Sequence, residues 1–223
     1  MSSQSSSDQP ADHNALWRIP EWFSSLPANV PERLKAYHGE LLRFNLKVNL
    51  ISRTTEREAD EAHFADCLMA AQLLMKAGLD KRVFDIGSGN GLPGIVLGIY
   101  DPTREYVLVE SDTRKCEFMK HMVHMLGLKN VSVMSVRFET LIGQGVTCAV
   151  SRGFASISKT VLACNKIFEK GGRFFHLKGN NWSSEIAELP SQLISLWAPQ
   201  LIGEYTLPVS QARRAIVITQ KKS

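Results

Sequence analysis

Several features are scarce in this chain of 223 residues, and each scarcity removes a class of protein. No window approaches the roughly 20 consecutive apolar residues that span a bilayer, so neither a transmembrane helix nor a membrane partner is expected. The first fourteen residues, MSSQSSSDQPADHN, hold no apolar core of the kind a signal peptide carries, so export is not expected and the reading is cytoplasmic. The four cysteines, Cys67, Cys116, Cys148 and Cys164, are widely spaced, form no C-x-x-C pair and sit among apolar neighbours. They read as small buried hydrophobes in a reducing compartment, which excludes a disulfide framework. His121 and His124 share a helix face without a third ligand; structural zinc takes four, so no metal is expected. Charge of one sign is scarce too. Lys and Arg number 26 against 22 Asp and Glu, a formal net charge of +4, which permits a phosphate-facing patch without establishing one. No internal repeat is present.

What the chain does have is a change of rhythm. Residues 1–14 read as a Ser-rich disordered tail. Residues 15–78 read as a helical cap. A short helix is expected over 17–26 with Asn14 as its cap. A second is expected from Pro31, with Leu34, Tyr37, Leu41, Phe44 and Val48 on one apolar face, and a third from about Glu56 to Ala77, stopping at Gly78. From residue 79 onward strands alternate with helices: RVFDI, EYVLVE, VSVM, TCAVSR and RFFHLKG are strands, with helices after the first, second and fourth. The last of these is expected to run to Gly171. Short connections between alternating elements argue a mostly parallel sheet covered on both faces. The final runs, LIGEYTLPV and RRAIVITQKK, are expected to close the edge as an antiparallel hairpin.

The stretch VFDIGSGNGLPGIVLGIY, residues 83–100, holds five glycines between two apolar runs. A strand, glycines and then a helix form the first turn of a nucleotide-type fold, where bare backbone lies against a ligand. Residues 89–94 satisfy G-x-G-x-x-G, which alone suits a dinucleotide and keeps a nicotinamide-dependent oxidoreductase open as the alternative enzyme. Asp85, however, precedes the glycines in D-x-G-x-G-x-G. A carboxylate expected at the ligand edge repels pyrophosphate but suits an amino group or a cation; this and the antiparallel hairpin, which a dinucleotide fold does not need, both fit S-adenosylmethionine. Glu110 ends the second strand, where a carboxylate takes both hydroxyls of a ribose. Asp112 reads as a helix cap. Phe138 and Glu139 fall where an adenine ring would lie, with Phe138 equally readable as core. Arg152 and Lys178 stand at the carboxyl edge of the sheet, where each either grips phosphate or guanine O6 or forms an ion pair. His63 and Asp66 share a helix face, which reads either as a His–carboxylate pair lining the cofactor or base pocket or as a capped core histidine.

These stretches sit in a longer pattern. NLISR, HFADC, DIGSGNGLPGIVLGI, LVESDTRKCEFM, SVRFET, VSRGFASI, LKGN and RRAIVI occur in the order and spacing of the bacterial small-subunit rRNA methyltransferase G family, also called glucose-inhibited division protein B, which the chain resembles. The resemblance implies a class I (Rossmann-like) methyltransferase sheet and S-adenosyl-L-methionine as cofactor. It implies methylation of N7 of one guanine in a loop of 16S rRNA, on the small ribosomal subunit; a monomer is expected. It places Gly87 and Leu92 of the glycine turn, Phe138–Glu139 and Arg152 against the cofactor; the turn itself adds Gly89 as a candidate. It makes Asn49, His63, Lys178, Arg213 and Arg214 candidates for the substrate side. Two departures are small: Gly153 stands where the family has Ala, and Cys67 where it has Ser. A non-catalytic RNA- or ribosome-binding protein with a degenerate cofactor site is the remaining alternative.

Overall fold

The computed structural model describes residues 15–222. The expected tail, and Asn14 as a cap, lie outside the described residues. Seven strands form one sheet in the order β3-β2-β1-β4-β5-β7-β6. Strands β1 (Arg82–Ile86), β2 (Glu105–Glu110), β3 (Val131–Ser135), β4 (Val146–Arg152) and β5 (Phe168–Lys178) run parallel, and β7 (Arg213–Lys221) enters antiparallel between β5 and β6 (Trp197–Thr206). This topology determines the site. Parallel strands bring the carboxyl ends of β1, β2, β4 and β5 to one edge. The antiparallel β7 then brings its first residues to that same edge, with Ala215 opposite Lys178.

The strands alternate their faces with period two. Val83, Leu108, Cys148, Val150, Phe175 and Ile216 point into one apolar cluster. Phe84, Val107, Ala149, Phe174 and Val217 point into the other. Helices α2 (Asn29–Asn45), α3 (Asp66–Ala77), α4 (Gly94–Tyr100) and α5 (Thr113–Met125) cover the first face; α6 (Ile157–Cys164), α7 (Trp182–Ala187) and α8 (Ser191–Leu196) cover the second. Tyr37, Leu41, Phe64 and Leu68 of the helical cap share the first cluster with the sheet, so cap and sheet are welded by one core. Burying each such side chain contributes about 1.5–3 kcal/mol.

Several boundaries differ from the sequence reading. The first helix, α1, is a single turn, Ile19–Trp22, and α2 begins at Asn29, which puts Pro31 third in the helix. The third helix opens as a π-helical segment, Asp60–Ala65, before continuing as α3. Helix α6 ends at Cys164 and not at Gly171: Phe168 already pairs with Val146, because its ring belongs to the apolar cluster shared with Phe174 and Trp197. Asp112 caps α5 as expected, accepting from the amides of Arg114 and Lys115 at 2.9 and 3.3 Å.

Candidate active site

Between the ends of β1, β2 and β4 lies a cavity of about 890 Å³. Its floor is the glycine turn, Gly87–Asn90 with Leu92; Glu110 and the Phe138–Glu139 pair line one wall, and Phe154 and Arg152 another. The turn is held from both sides. The amides of Gly87 and Ser88 donate to Val109 O at 3.0 and 3.1 Å, and the Gly89 amide donates to Glu110 Oε2 at 2.9 Å. From the cap, the buried Tyr37 hydroxyl donates to Asn90 O at 2.5 Å. Asn90 in turn donates to Leu50 O at 3.1 Å, which fastens the 50–52 segment over the cavity. Asn45 shapes that segment, its Oδ1 accepting from the Leu50 and Ile51 amides at 2.7 and 2.9 Å.

Asp85 requires a correction. Its carboxylate lies beneath the turn and not on the cavity wall, buried at 1% exposure. Oδ2 accepts from Ser88 Oγ at 2.7 Å and from the Gly94 amide at 2.9 Å, so it ties the turn to the start of α4. Burial pushes its pKa up to about 6, against the pull of those two hydrogen bonds. Glu110 is engaged by the backbone as well. Its Oε1 accepts from the Ser111 and Asp112 amides at 2.8 and 2.9 Å, so both oxygens carry backbone donors.

A second cavity, of about 470 Å³, adjoins the first and shares His63, Arg152 and Gly153 with it. Lys178 and Arg214 line its far side. Its centre is not the expected His63–Asp66 pair, because Arg152 reaches in between the two. The guanidinium donates to His63 Nδ1 at 3.3 Å, to Asp66 Oδ2 at 3.3 Å and to Ala62 O at 3.4 Å. Since Arg152 occupies the Nδ1 lone pair, Nε2 carries the hydrogen and donates to Thr55 Oγ1 at 3.0 Å. Burial and the Arg152 charge lower the His63 pKa to about 3, so the ring is neutral. Asp66, 4% exposed, also accepts from the Tyr205 hydroxyl at 2.8 Å and stands 3.6 Å from Arg214 Nε. Lys178 is spent as well: Nζ donates to Ala155 O at 2.6 Å and pairs with Glu185 at 2.8 Å.

The π-helical segment gathers these groups. Asp60 takes Arg18 through three bonds of 2.8–2.9 Å. Glu61, 2% exposed, takes the amides of Val209 and Ser210 at 2.8 and 2.7 Å, so it clamps the turn between β6 and β7. His63 and then Asp66 face the second cavity. The wider π turn spreads successive side chains, and such segments recur at functional sites.

The chain that builds these two cavities at the carboxyl edge of its sheet is similar in sequence and in fold to known proteins. The family described as rRNA small subunit methyltransferase G matches residues 31–206. The chain belongs to that family. Ribosomal RNA small subunit methyltransferase G 3 of Bdellovibrio bacteriovorus is 45% identical over 207 residues, covering 92% of this chain and 93% of its own length. Ribosomal RNA small subunit methyltransferase G of Cronobacter sakazakii is 32% identical over 199 residues, covering 85% and 93%. Among solved structures, the YcgJ protein of Bacillus subtilis superposes with a TM-score of 0.52 at 14% identity, over 72% of this chain and 100% of its own. TYW2 of Pyrococcus horikoshii, solved in complex with MeSAdo, gives 0.55 at 12% identity, over 80% and 66%. Identities this low speak for the shared fold alone.

Membership in the methyltransferase G family favours methyl transfer over the nicotinamide reading. Of the residues singled out in the sequence, Gly87, Gly89, Leu92, Glu110, Phe138, Glu139 and Arg152 line the first cavity. His63 lines both cavities, while Lys178 and Arg214 line the second. Arg213 stands farther out, paired with Glu204 at 3.2 Å, and Asn49 is exposed beside the wall-forming Leu50. Sequence reasoning missed Ser88, Asn45, Asn90, Phe154 and Tyr205. Only the first and third of these carried a signal, their place inside the glycine turn. Among the described residues, no group of three or more histidine, cysteine or acidic side chains stands together to hold a metal ion, and His121 pairs with Glu40 at 2.6 Å.

Proposed function

We propose that this chain is a cytoplasmic, monomeric enzyme that transfers a methyl group from S-adenosyl-L-methionine to N7 of one guanine in 16S rRNA. The observation that carries the reading is the pair of adjoining cavities in a member of the rRNA methyltransferase G family, joined through Arg152 and His63. The first cavity fits the cofactor. A Cβ at Gly87 would collide with the Phe154 ring, so the backbone of the turn stays bare toward a ligand. Glu110 and Glu139 give the cavity two carboxylates, which can accept from the hydroxyl and amino groups of a ligand. Gly87, Gly89 and Leu92 would hold its amino-acid end, Glu110 its ribose and Phe138–Glu139 its adenine; Asp85 would act from beneath, by fixing the turn. When bound, this cofactor supplies a methyl group carried on a sulfonium sulfur.

The second cavity receives the base. Arg152 keeps Nε–H and one Nη2–H without a partner among the described residues, and these can meet guanine O6. Asp66 holds the guanidinium in that orientation and balances its charge. Guanine N7 is a bare acceptor. It gains the methyl group and the positive charge and loses no proton, so the chain needs no general base. His63 agrees with this, since one ring nitrogen is occupied by Arg152 and the other carries a hydrogen. Its role is to orient Arg152, and catalysis rests on placement.

The single-turnover transfer rate, with cofactor and small subunits saturating, is therefore expected to be flat from about pH 7 to 9, because no essential group loses a proton there. His63 is neutral throughout that range, and Asp85 titrates below it, at about 6. His63→Ala lowers the rate by misplacing Arg152 and leaves the profile flat. A rate rising tenfold per pH unit through neutrality, and levelled by His63→Ala, would show a proton acceptor and remove N7 as the target.

A further inference from the structure

A third cavity, of about 330 Å³, adjoins the second. It is lined by Asn180, Trp182, Ser183, Glu204, Arg213 and Arg214. Arg214 also lines the second cavity, so one guanidinium stands between them. The third cavity is built, not incidental. Trp182 Nε1 donates to Glu204 Oε1 at 3.1 Å, and Arg213 Nη2 donates to both oxygens of the same carboxylate at 3.2 and 3.4 Å. Glu204 thus fixes an indole and a guanidinium side by side. Arg214 Nη1 donates to Arg213 O at 3.1 Å, which draws the second guanidinium to the same place. An indole next to two guanidinium groups is the combination that binds single-stranded nucleic acid: bases stack on the aromatic face and phosphates meet the cations.

We propose that this cavity takes the nucleotide flanking the target guanine, its base stacked on Trp182 and its phosphate met by Arg213 and Arg214. This rests on the reading of the second cavity as the base pocket, since Arg214 then stands where the phosphate joining the two nucleotides must pass. The strand has a direction for an electrostatic reason. On the other side of Gly153 the neighbouring cavity is lined by Glu185 and Glu188 with Asn181, Ser156 and Ser184; Lys178 offsets Glu185, but the Glu188 carboxylate has no partner among the described residues and repels phosphate. The cations lie on the Trp182 side, where two guanidinium groups outweigh the single Glu204 carboxylate.

The test compares wild type, Trp182→Ala, Trp182→Phe and Arg213→Ala in methyl transfer to small ribosomal subunits that lack the modification. Trp182→Ala should raise KM for the subunit about tenfold, within the range for loss of one base–aromatic stack, with an unchanged salt slope. Trp182→Phe should recover most of that loss, because a phenyl face still stacks although it cannot bond Glu204. Arg213→Ala should raise KM with a slope shallower by about one unit, the signature of a lost phosphate contact. S-adenosylhomocysteine affinity, measured by calorimetry, should be unchanged in all three and shows that the variants are folded. An unchanged KM in Trp182→Ala, or a Phe variant no better than Ala, overturns the flanking-nucleotide subsite alone. Absence of transfer by the wild type overturns the base-pocket reading and this one together.

Discussion

Asp66→Ala is expected to cost the fold about 3–5 kcal/mol, the range for breaking a buried ion pair, and to abolish methyl transfer. Asp66 is the one carboxylate on which Arg152, Tyr205 and Arg214 converge, at 3.3, 2.8 and 3.6 Å. Its removal leaves the Arg152 guanidinium without the counter-charge that it faces inside the cap–sheet junction. At about 2–4 °C per kcal/mol for a chain of this size, the melting temperature should fall by roughly 6–20 °C. Asp66→Asn keeps an acceptor for Tyr205 but not the charge, so its loss should be smaller while transfer stays impaired. A thermal melt and a transfer assay on the two variants check both statements. A melting temperature for Asp66→Ala within about 2 °C of wild type would mean that Arg152 is balanced elsewhere.

Gly87→Ala should destroy the cofactor cavity, whereas Gly89→Ala should only loosen it. Both glycines lie in the left-handed region, at φ +68° and +59°. An L-residue there costs about 1–2 kcal/mol. The two sites differ in what a Cβ would meet. At Gly89 the nearest atom stands 3.9 Å away, while at Gly87 the Cβ would enter the Phe154 ring. That ring cannot simply retreat, since it packs edge-on against Phe138 at 5.5 Å and walls the cavity. Overpacking of this kind adds about 1–3 kcal/mol, for a total of about 2–5 kcal/mol. Affinity for S-adenosylhomocysteine should therefore drop by about 30-fold or more in Gly87→Ala and by no more than about 30-fold in Gly89→Ala. Adding Phe154→Leu to Gly87→Ala should restore part of the loss. Equal affinities in the two single variants would show that Phe154 moves freely and holds no wall.

Much of this architecture was legible in the sequence, for identifiable reasons. RVFDI and EYVLVE are strands to the residue, Arg82–Ile86 and Glu105–Glu110, because each is a short apolar run ended by a turn signal or a charge. The antiparallel hairpin followed from two extended runs with only a turn between them. Helix α6 was read too long because the helical spacing continues through Ile167 and Phe168, and only the pairing of Phe168 across to Val146 ends it. Helices α7 and α8 did carry a signal, since Trp182, Ile186, Leu189, Leu193 and Leu196 recur at steps of four and three and face one apolar cluster, but Pro190 interrupts the run and the sequence reading assigns no helix there. The π-helical segment has no sequence signature at all.

At the site, composition located the groups but not their partners. The glycine turn announced a ligand floor, and Glu110 its position at a strand end. The direction of Asp85 could not be read, since it depends on the Gly94 amide and the Ser88 hydroxyl drawing the carboxylate inward. His63 and Asp66 do share a helix face, but Arg152 arrives from a strand 86 residues beyond Asp66 and separates them. Trp182 reads in the sequence only as apolar, and its polar edge gains meaning when β6 and β7 bring Glu204 and Arg213 beside it.

The most direct measurement is to incubate the purified protein and methyl-labelled S-adenosylmethionine with small ribosomal subunits lacking the modification, then digest the RNA and locate the label by mass spectrometry. The account predicts a label on a single guanine of 16S rRNA, at N7. Label on an exocyclic amine or a ribose hydroxyl, label spread over many sites, or none in the RNA would contradict it.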